Sequence, residues 1–589
     1  MTAALEAPAS AADADRAAGA QLRIDPLGLE RAGWSSDPAH CTAKIAALAS
    51  LATLPPPEPV ARVTYQSRGN LLVIAGEDCA RAQRAAGALA PHLHVTLLDA
   101  AATPSSARHE TWAGRIDSLD GYLGQFTATL AGLKTAKGAA AAASTAASFD
   151  LVLDFSGEPL FAMRQPPQGY FAAPAGDAAL EAVLAELRDA VGEFEKPRFF
   201  AYRENLCAHS RSAVEGCNAC IEICSTQAIS SDGDHVKVDP HLCMGCGACA
   251  TVCPSGAMGF QFPRVADRGA QLKQLLSAYR QAGGGEPRIL FHNGTDGRAL
   301  LEAAAASGAS LAPEMLPLEA WHVASIGLDV LLPAIAFGAR QVAVLSAGSE
   351  DSDYLSALRA QMAIGEAILG QLGYEGTHFA VIEASTPQQV HAGFAALGAA
   401  AGVPEPAQFL VGNDKRTAIE FAVEHLVKHA PRKVDEIALP AGAPFGQVSV
   451  DRQKCTMCMA CVGACPSSAL MDGRDVPLLK FLERNCVQCG LCESTCPEEA
   501  IALSPRLLLT PAVRQERVLN ETEPFRCIRC SKPFGTKQMV DAMMGRLAGH
   551  SMFAGGAAIQ RLQMCADCRV VDMMSSKQEV SVLRLGADS

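Results

Sequence analysis

Sixteen of the chain's 22 cysteines fall in two blocks, 207–253 and 455–496, eight in each, with short repeating gaps. The second block is regular twice over. "CTMCMACVGACP" carries Cys455, Cys458, Cys461 and Cys465 before Pro466, and "CVQCGLCESTCP" carries Cys486, Cys489, Cys492 and Cys496 before Pro497. A tight loop with a cysteine at every third position can reach three irons of a cubane. The fourth cysteine, one helical turn on, points away and ligates the neighbouring cluster. This crossing predicts one [4Fe-4S] cluster on Cys455, Cys458, Cys461 and Cys496, and another on Cys465, Cys486, Cys489 and Cys492. Zinc knuckles also use four thiolates, but they need neither the third cysteine nor the trailing proline.

The first block has one regular half, "CMGCGACATVCP", with Cys243, Cys246, Cys249 and Cys253 before Pro254. In the other half, Cys217, Cys220 and Cys224 hold the last three positions, and Val214 stands where the first cysteine belongs. Crossing assigns Cys224 to the cluster of Cys243, Cys246 and Cys249. The remaining site has Cys217, Cys220, Cys253 and one ligand to find. Three outcomes are open: Cys207 completes a [4Fe-4S] site, a three-iron cluster forms on Cys217, Cys220 and Cys253, or a ligand comes from outside. Loop closure costs little more for nine residues than for two, and the small, polar "AHSRSAVEG" reads as a surface excursion, with His209 solvated in it. Such a loop would also alter the exposure and potential of its cluster.

Four further cysteines form two CxxC pairs near the C-terminus, Cys527 with Cys530 and Cys565 with Cys568. Paired CxxC turns supply the four thiolates of structural zinc, which is the first expectation. A further iron–sulfur cluster or a rubredoxin-like iron is the rival. Arg526, Arg529, Lys532 and Arg569 would offset the charge of any of these centres. Cys41 and Cys79 stand alone and read as small buried hydrophobes.

Around the cysteines, the 589 residues are too many for one core. The expected fold is multidomain, α/β and α+β: two bacterial two-[4Fe-4S] ferredoxin units flanking a parallel-sheet α/β domain, with an N-terminal α/β domain and a C-terminal four-cysteine zinc-type unit. The expected limits are 1–60 for a flexible segment and linker, 61–198 for the small α/β domain, and 199–264 for the first ferredoxin unit. The cysteine-free α/β domain takes 265–435, the second ferredoxin unit 436–510 and the C-terminal unit 511–589. In the two α/β regions "NLLVIAG", "HVTLLDA", "FDLVLDF", "RILFH", "QVAVLSA" and "HFAVIEA" read as strands.

The net charge of −13 disfavours nucleic acid. There is no apolar run long enough for a membrane span and no basic, apolar export signal at the start, so a cytoplasmic location is expected. The reducing compartment suits grouped thiolates as metal ligands. No dinucleotide, P-loop, nucleophile-elbow or H-E-x-x-H motif appears, so no catalytic residue is assigned.

The stretches "DLVLDFSGEP", "RQPPQGYF", "RCIRCSKPFGT" and "RLQMCADCRVVDMM", together with the ferredoxin blocks, resemble a proteobacterial 4Fe-4S protein family encoded beside molybdenum or tungsten formate dehydrogenases. The resemblance covers most of the chain from about residue 70. "WHVASIGLDVLLPAIAFGARQVAVL" resembles the small electron-transfer subunit of methyl-viologen-reducing hydrogenases, in diverged form. That family carries cysteines for a two-iron cluster, whereas 263–454 contains none. The cysteine spacing leads to an expectation of four [4Fe-4S] clusters and zinc, and the resemblances imply a cytoplasmic electron-transfer subunit serving a formate dehydrogenase-type partner, with formate oxidation elsewhere in the complex. A stand-alone flavin-dependent reductase and an assembly or maturation factor for a molybdenum enzyme are the alternatives.

Overall fold

The computed structural model describes residues 41–575, apart from 107, 140–143, 159, 162, 308–310, 349, 474–475, 551–552 and 554–555. The Ala-rich start lies outside the described residues, as do residues 140–143 within the low-complexity "KGAAAAASTAA".

Apolar runs buried on both faces form the strands of two α/β bodies. In the N-terminal body, Asn70–Ile74 lies between His94–Leu98 and Leu151–Asp154, all parallel. Three further strands were not legible: Glu110–Asp120, Phe126–Thr135 and Ser144–Phe149 extend the sheet, pairing antiparallel with one another. Their many exposed Thr, Ser and Ala positions carry no apolar run. Arg62–Ser67 pairs antiparallel with Gly192–Pro197 as a separate two-stranded sheet.

The central body is a four-stranded parallel sheet ordered Met315–Ala320, Arg288–Asn293, Gln341–Ser346, Phe379–Glu383. The first of these also escaped the sequence reading, because Pro317 interrupts it and Glu319 breaks its apolar run. One face carries α2 (Val265–Gln281), α3 (Leu328–Ala336), α4 (Ser352–Gln371) and α5 (Lys415–Lys428) over the largest core of the chain. Asp296–Ala306 and Pro387–Ala396 cover the other face. Strands buried from both sides need such double cover.

The stretch read as a flexible segment over 1–60 is corrected in part. Thr42–Ser50, named α1, packs Ala47 and Leu48 into the central core. Buried Lys44 donates to the carbonyls of Leu311 and Ala312, and burial lowers its pKa to about 8.

Each ferredoxin unit has two small antiparallel pairs. They are Phe200–Tyr202 with Met258–Phe260 and Ile229–Asp232 with His235–Val238 in the first unit. In the second they are Gly446–Val450 with Ile501–Leu508 and Leu470–Asp472 with Leu478–Phe481. The second unit extends past its expected end at 510, because Arg517–Glu521 adds a strand alongside Leu478–Phe481. The chain then forms the hairpin of Pro524–Arg526 with Pro533–Thr536, followed by the helix Lys537–Leu547.

Candidate metal centres

The cysteine loops follow a recurring backbone plan. The second residue after the first cysteine adopts a left-handed conformation in three turns, as Gly245, Met457 and Gln488, at φ +78°, +55° and +55°. The residue after the second cysteine does the same, as Gly247, Met459 and Gly490. These two reversals wrap the loop so that successive sulfurs converge. A third left-handed position follows each fourth cysteine, at Gln227, Gly256, Ser468 and Glu499. It returns backbone amides to the sulfur: Met258, Ala469 and Ala500 donate N–H to Cys253, Cys465 and Cys496 at 3.4, 3.2 and 3.4 Å. Cys224 instead has the Thr226 hydroxyl at 3.5 Å.

The structure gathers the cysteines in fours. Cys207, Cys217, Cys220 and Cys253 line one cavity. Cys224, Cys243, Cys246 and Cys249 line a second, and Cys455, Cys458, Cys461 and Cys496 a third. Cys465, Cys486, Cys489 and Cys492 form the fourth group, each of the last three sensing the charge of Cys465. We name these centres A, B, C and D in that order.

Cys207 occupies a ligand's position in local structure as well. The 3-10 turn Glu204–Leu206 delivers it at φ −71°, ψ 134°, and the 3-10 turn Glu483–Asn485 delivers Cys486 at φ −68°, ψ 131°. The signal was present in sequence as "ENLC" beside "ERNC". Between Cys207 and Cys217 the expected surface excursion is a hairpin, Ser210–Arg211 with Val214–Glu215, turning at Ser212 and Ala213, both with positive φ. It is closed at its base by Gly216 N–H to His209 O at 2.7 Å and Cys217 N–H to Ala208 O at 2.9 Å. His209 is not solvated: it is 2% exposed. Its Nδ1 donates to the Cys217 carbonyl at 3.3 Å and its Nε2 lies 2.7 Å from the Ser231 hydroxyl. Both ring nitrogens are thereby used in holding the hairpin.

Burial sets the protonation of these sulfurs. It pushes Cys220 and Cys461 up to about 12 and Cys243 and Cys489 to about 11, with neighbouring cysteines adding to the rise. Cys249 and Cys492 are raised further for the same reasons. A dry cage of four sulfurs stays thiolate only around concentrated positive charge, which iron supplies while displacing the protons.

The C-terminal four are packed differently. Sγ atoms of Cys527, Cys530, Cys565 and Cys568 all lie within 4.8 Å of one another, and Cys530 and Cys565 are 3.7 Å apart. Metal–sulfur bonds of about 2.3 Å in a tetrahedron place sulfurs about 3.8 Å apart. That fits a single ion. Among the described residues, no other set of His, Cys, Asp or Glu ligand atoms is so tight, and the wider ferredoxin cages suit four irons instead. Burial raises the Cys527 thiol, but the N–H groups of Cys565, Cys530 and Arg529 outweigh it and bring the thiol down to about 6. Of the basic neighbours, Arg526 and Arg569 donate to backbone carbonyls, while Lys532 pairs with Asp567 at 3.5 Å.

The lone cysteines differ from each other. Cys41 is buried, whereas Cys79 is only half-buried and donates to the Gly76 carbonyl at 3.2 Å.

Two family models match where the cages stand. A 4Fe-4S dicluster domain matches residues 215–257, which takes in seven cysteines of the first block and leaves Cys207 outside. A 4Fe-4S binding domain matches 448–471 and again 480–502. Among curated proteins, the chain is 35% identical over 66 residues to hydrogenase-4 component A of Escherichia coli (strain K12), covering 11% of this chain and 30% of that protein. It is 40% identical over 40 residues to a 7Fe ferredoxin of Hydrogenibacillus schlegelii, covering 7% of this chain and 51% of the relative. It is 44% identical over 39 residues to a ferredoxin of Alicyclobacillus acidocaldarius subsp. acidocaldarius, covering 7% and 50%. The chain thus spans between about a third and half the length of the curated relatives it matches. Among the described residues no helix is long and apolar enough to cross a membrane. Cages and matches agree that this chain contains 4Fe-4S ferredoxin-type domains over both cysteine blocks.

Proposed function

We propose that the protein carries four [4Fe-4S] clusters, one in each of centres A to D, and relays single electrons between a redox enzyme and a downstream acceptor. The observation that carries this reading is the crossed grouping: in each unit, the fourth cysteine of one half joins the first three of the other. Each cluster, when bound, supplies a site that accepts and returns one electron. The chain's part is to hold the sulfurs, exclude water and tune the centres by N–H···S bonds. Cys207 completes centre A, and the C-terminal four hold zinc, whose lack of redox chemistry suits a structural brace.

A molybdenum or tungsten formate dehydrogenase-type subunit is the proposed partner, on the strength of the sequence resemblance, and the cytoplasm the proposed location. The match to a hydrogenase component supports a redox enzyme as partner without choosing among them. The test is anaerobic purification from native cells with metal and partner analysis. About sixteen irons per chain, one zinc and a co-purifying molybdenum or tungsten enzyme are expected. Zinc alone, or iron near eight, ends the four-cluster reading.

A further inference from the structure

The insertion after Cys207 has a position that the relay alone does not explain. Its hairpin faces the second ferredoxin unit. A Cβ on Gly216, the residue before ligand Cys217, would stand 2.6 Å from Cγ of Leu491, the residue before ligand Cys492. Leu491 is fully buried and forms one apolar cluster with Ala208, Val487 and Ala464, drawn from both units. Val214, Cys217 and Cys489 pack against that same cluster. One ligand of centre A and one of centre D therefore meet across a seam of small side chains.

The start of α5 reinforces the seam from behind. Lys415 Nζ donates to the carbonyls of Ala250, Thr251 and Cys253 at 2.8, 2.6 and 3.0 Å, on the side of centre A. The next residue, Arg416, donates to the carbonyls of Arg484 and Cys486 at 3.0 and 3.1 Å, on the side of centre D. Within each unit the paired centres also adjoin, Cys220 and Cys249 packing against one apolar cluster and Cys461 and Cys492 lying in another. At the far end, Cys458 of centre C is exposed.

We propose that the four centres form a single file, B–A–D–C, and that the hairpin between Cys207 and Cys217 makes the A-to-D junction through which electrons pass between the two ferredoxin units. This rests on the four-cluster reading above. In the step at the junction, one electron leaves the reduced centre and enters its oxidised neighbour. No bond is made or broken and no proton moves. The missing cysteine at position 214 is then the mark of a docking element: a regular three-cysteine loop would keep centre A on its own unit, and Val214 serves the seam in place of a sulfur.

The test uses the full holo-chain with Gly216→Leu and, independently, Val214→Asp, each checked for iron before use. In the wild type, fully reduced protein is expected to show faster spin relaxation of the first unit's signals than a Cys489→Ala, Cys492→Ala chain lacking centre D. In both seam variants that enhancement falls to the level of the chain lacking D, and electron exchange between the units slows at least tenfold, while coupling inside each unit persists. Unchanged relaxation and exchange in both iron-replete variants would overturn the junction. If a seam substitution costs iron, the wild type still decides: equal relaxation with and without centre D refutes the file order. Failure of the four-cluster reading is distinct, since it appears as an iron shortfall in the wild type itself.

Discussion

The hairpin turn offers a quantitative check on how centre A is held. Arg211 pairs with Val214, so Ser212 and Ala213 are the two central residues, at φ +53° and +63°. Two consecutive left-handed residues define a type I′ turn, whose twist suits a hairpin and whose preferred sequence is Asn-Gly. A side chain in this region costs roughly 1 kcal/mol per residue. Ser212→Asn with Ala213→Gly keeps the turn and removes most of that cost, while the glycine returns about half a kcal/mol through its greater freedom in the open chain. The net gain is about 1 kcal/mol, or about fivefold in the closing equilibrium. It should appear in the amides that the closed hairpin protects, Gly216 N–H and Cys217 N–H, bonded at 2.7 and 2.9 Å. Hydrogen exchange followed by mass spectrometry should show these amides slowed about fivefold, with the remainder of the first unit unchanged. Unaltered or faster exchange at both would refute the argument that backbone strain limits this hairpin.

Lys415→Met leaves three carbonyls, two of them buried, without their donor and should cost roughly 3 kcal/mol locally, read as faster exchange over 248–253; equal protection would show that the clamp is dispensable. Met459 is left-handed where the corresponding turns have Gly247 and Gly490, so Met459→Gly should relieve roughly 1 kcal/mol and raise the temperature at which the second unit's visible absorbance bleaches. Burial lowers His322 to about 4 where its ring stands edge-on to Tyr354. A depressed pKa means its stabilisation is whole above about pH 6.5 and is lost as pH falls towards 4, at most about 3 kcal/mol and less for the water still reaching the half-buried ring. His322→Gln should therefore flatten the fall in melting temperature between pH 7 and 5, and an unchanged slope would count against this. Finally, Cys530 is exposed, so a chelator should strip the C-terminal ion and loosen Lys537–Leu547 while iron stays bound, as circular dichroism and metal analysis would record; retention of helix without the ion would remove its bracing role.

The grouping of the cysteines in fours was legible in their spacing, and so were strands such as Gln341–Ser346, whose two buried faces demand an unbroken apolar run. What escaped was set by tertiary contact. His209 in a polar stretch looked solvated, yet both ring nitrogens are satisfied by atoms 8 and 22 residues away. The seam of Gly216 on Leu491 joins residues 275 positions apart, and nothing in either local sequence signals it. Strand Glu110–Asp120 has nearly half its residues exposed and pairs with Phe126–Thr135 through two register shifts, which dilutes the alternation that marks a strand. Cys207 lies between these cases, since its "ENLC" turn was readable once compared with "ERNC", but only the folded chain carries it to Cys217.

Two adjacent residues carry the ammonium that reaches the Cys253 carbonyl and the guanidinium that reaches the Cys486 carbonyl. The two ferredoxin modules are therefore tied to one helical turn, the first of α5, through neighbouring side chains. A change in that single turn therefore bears on the seating of both modules at once.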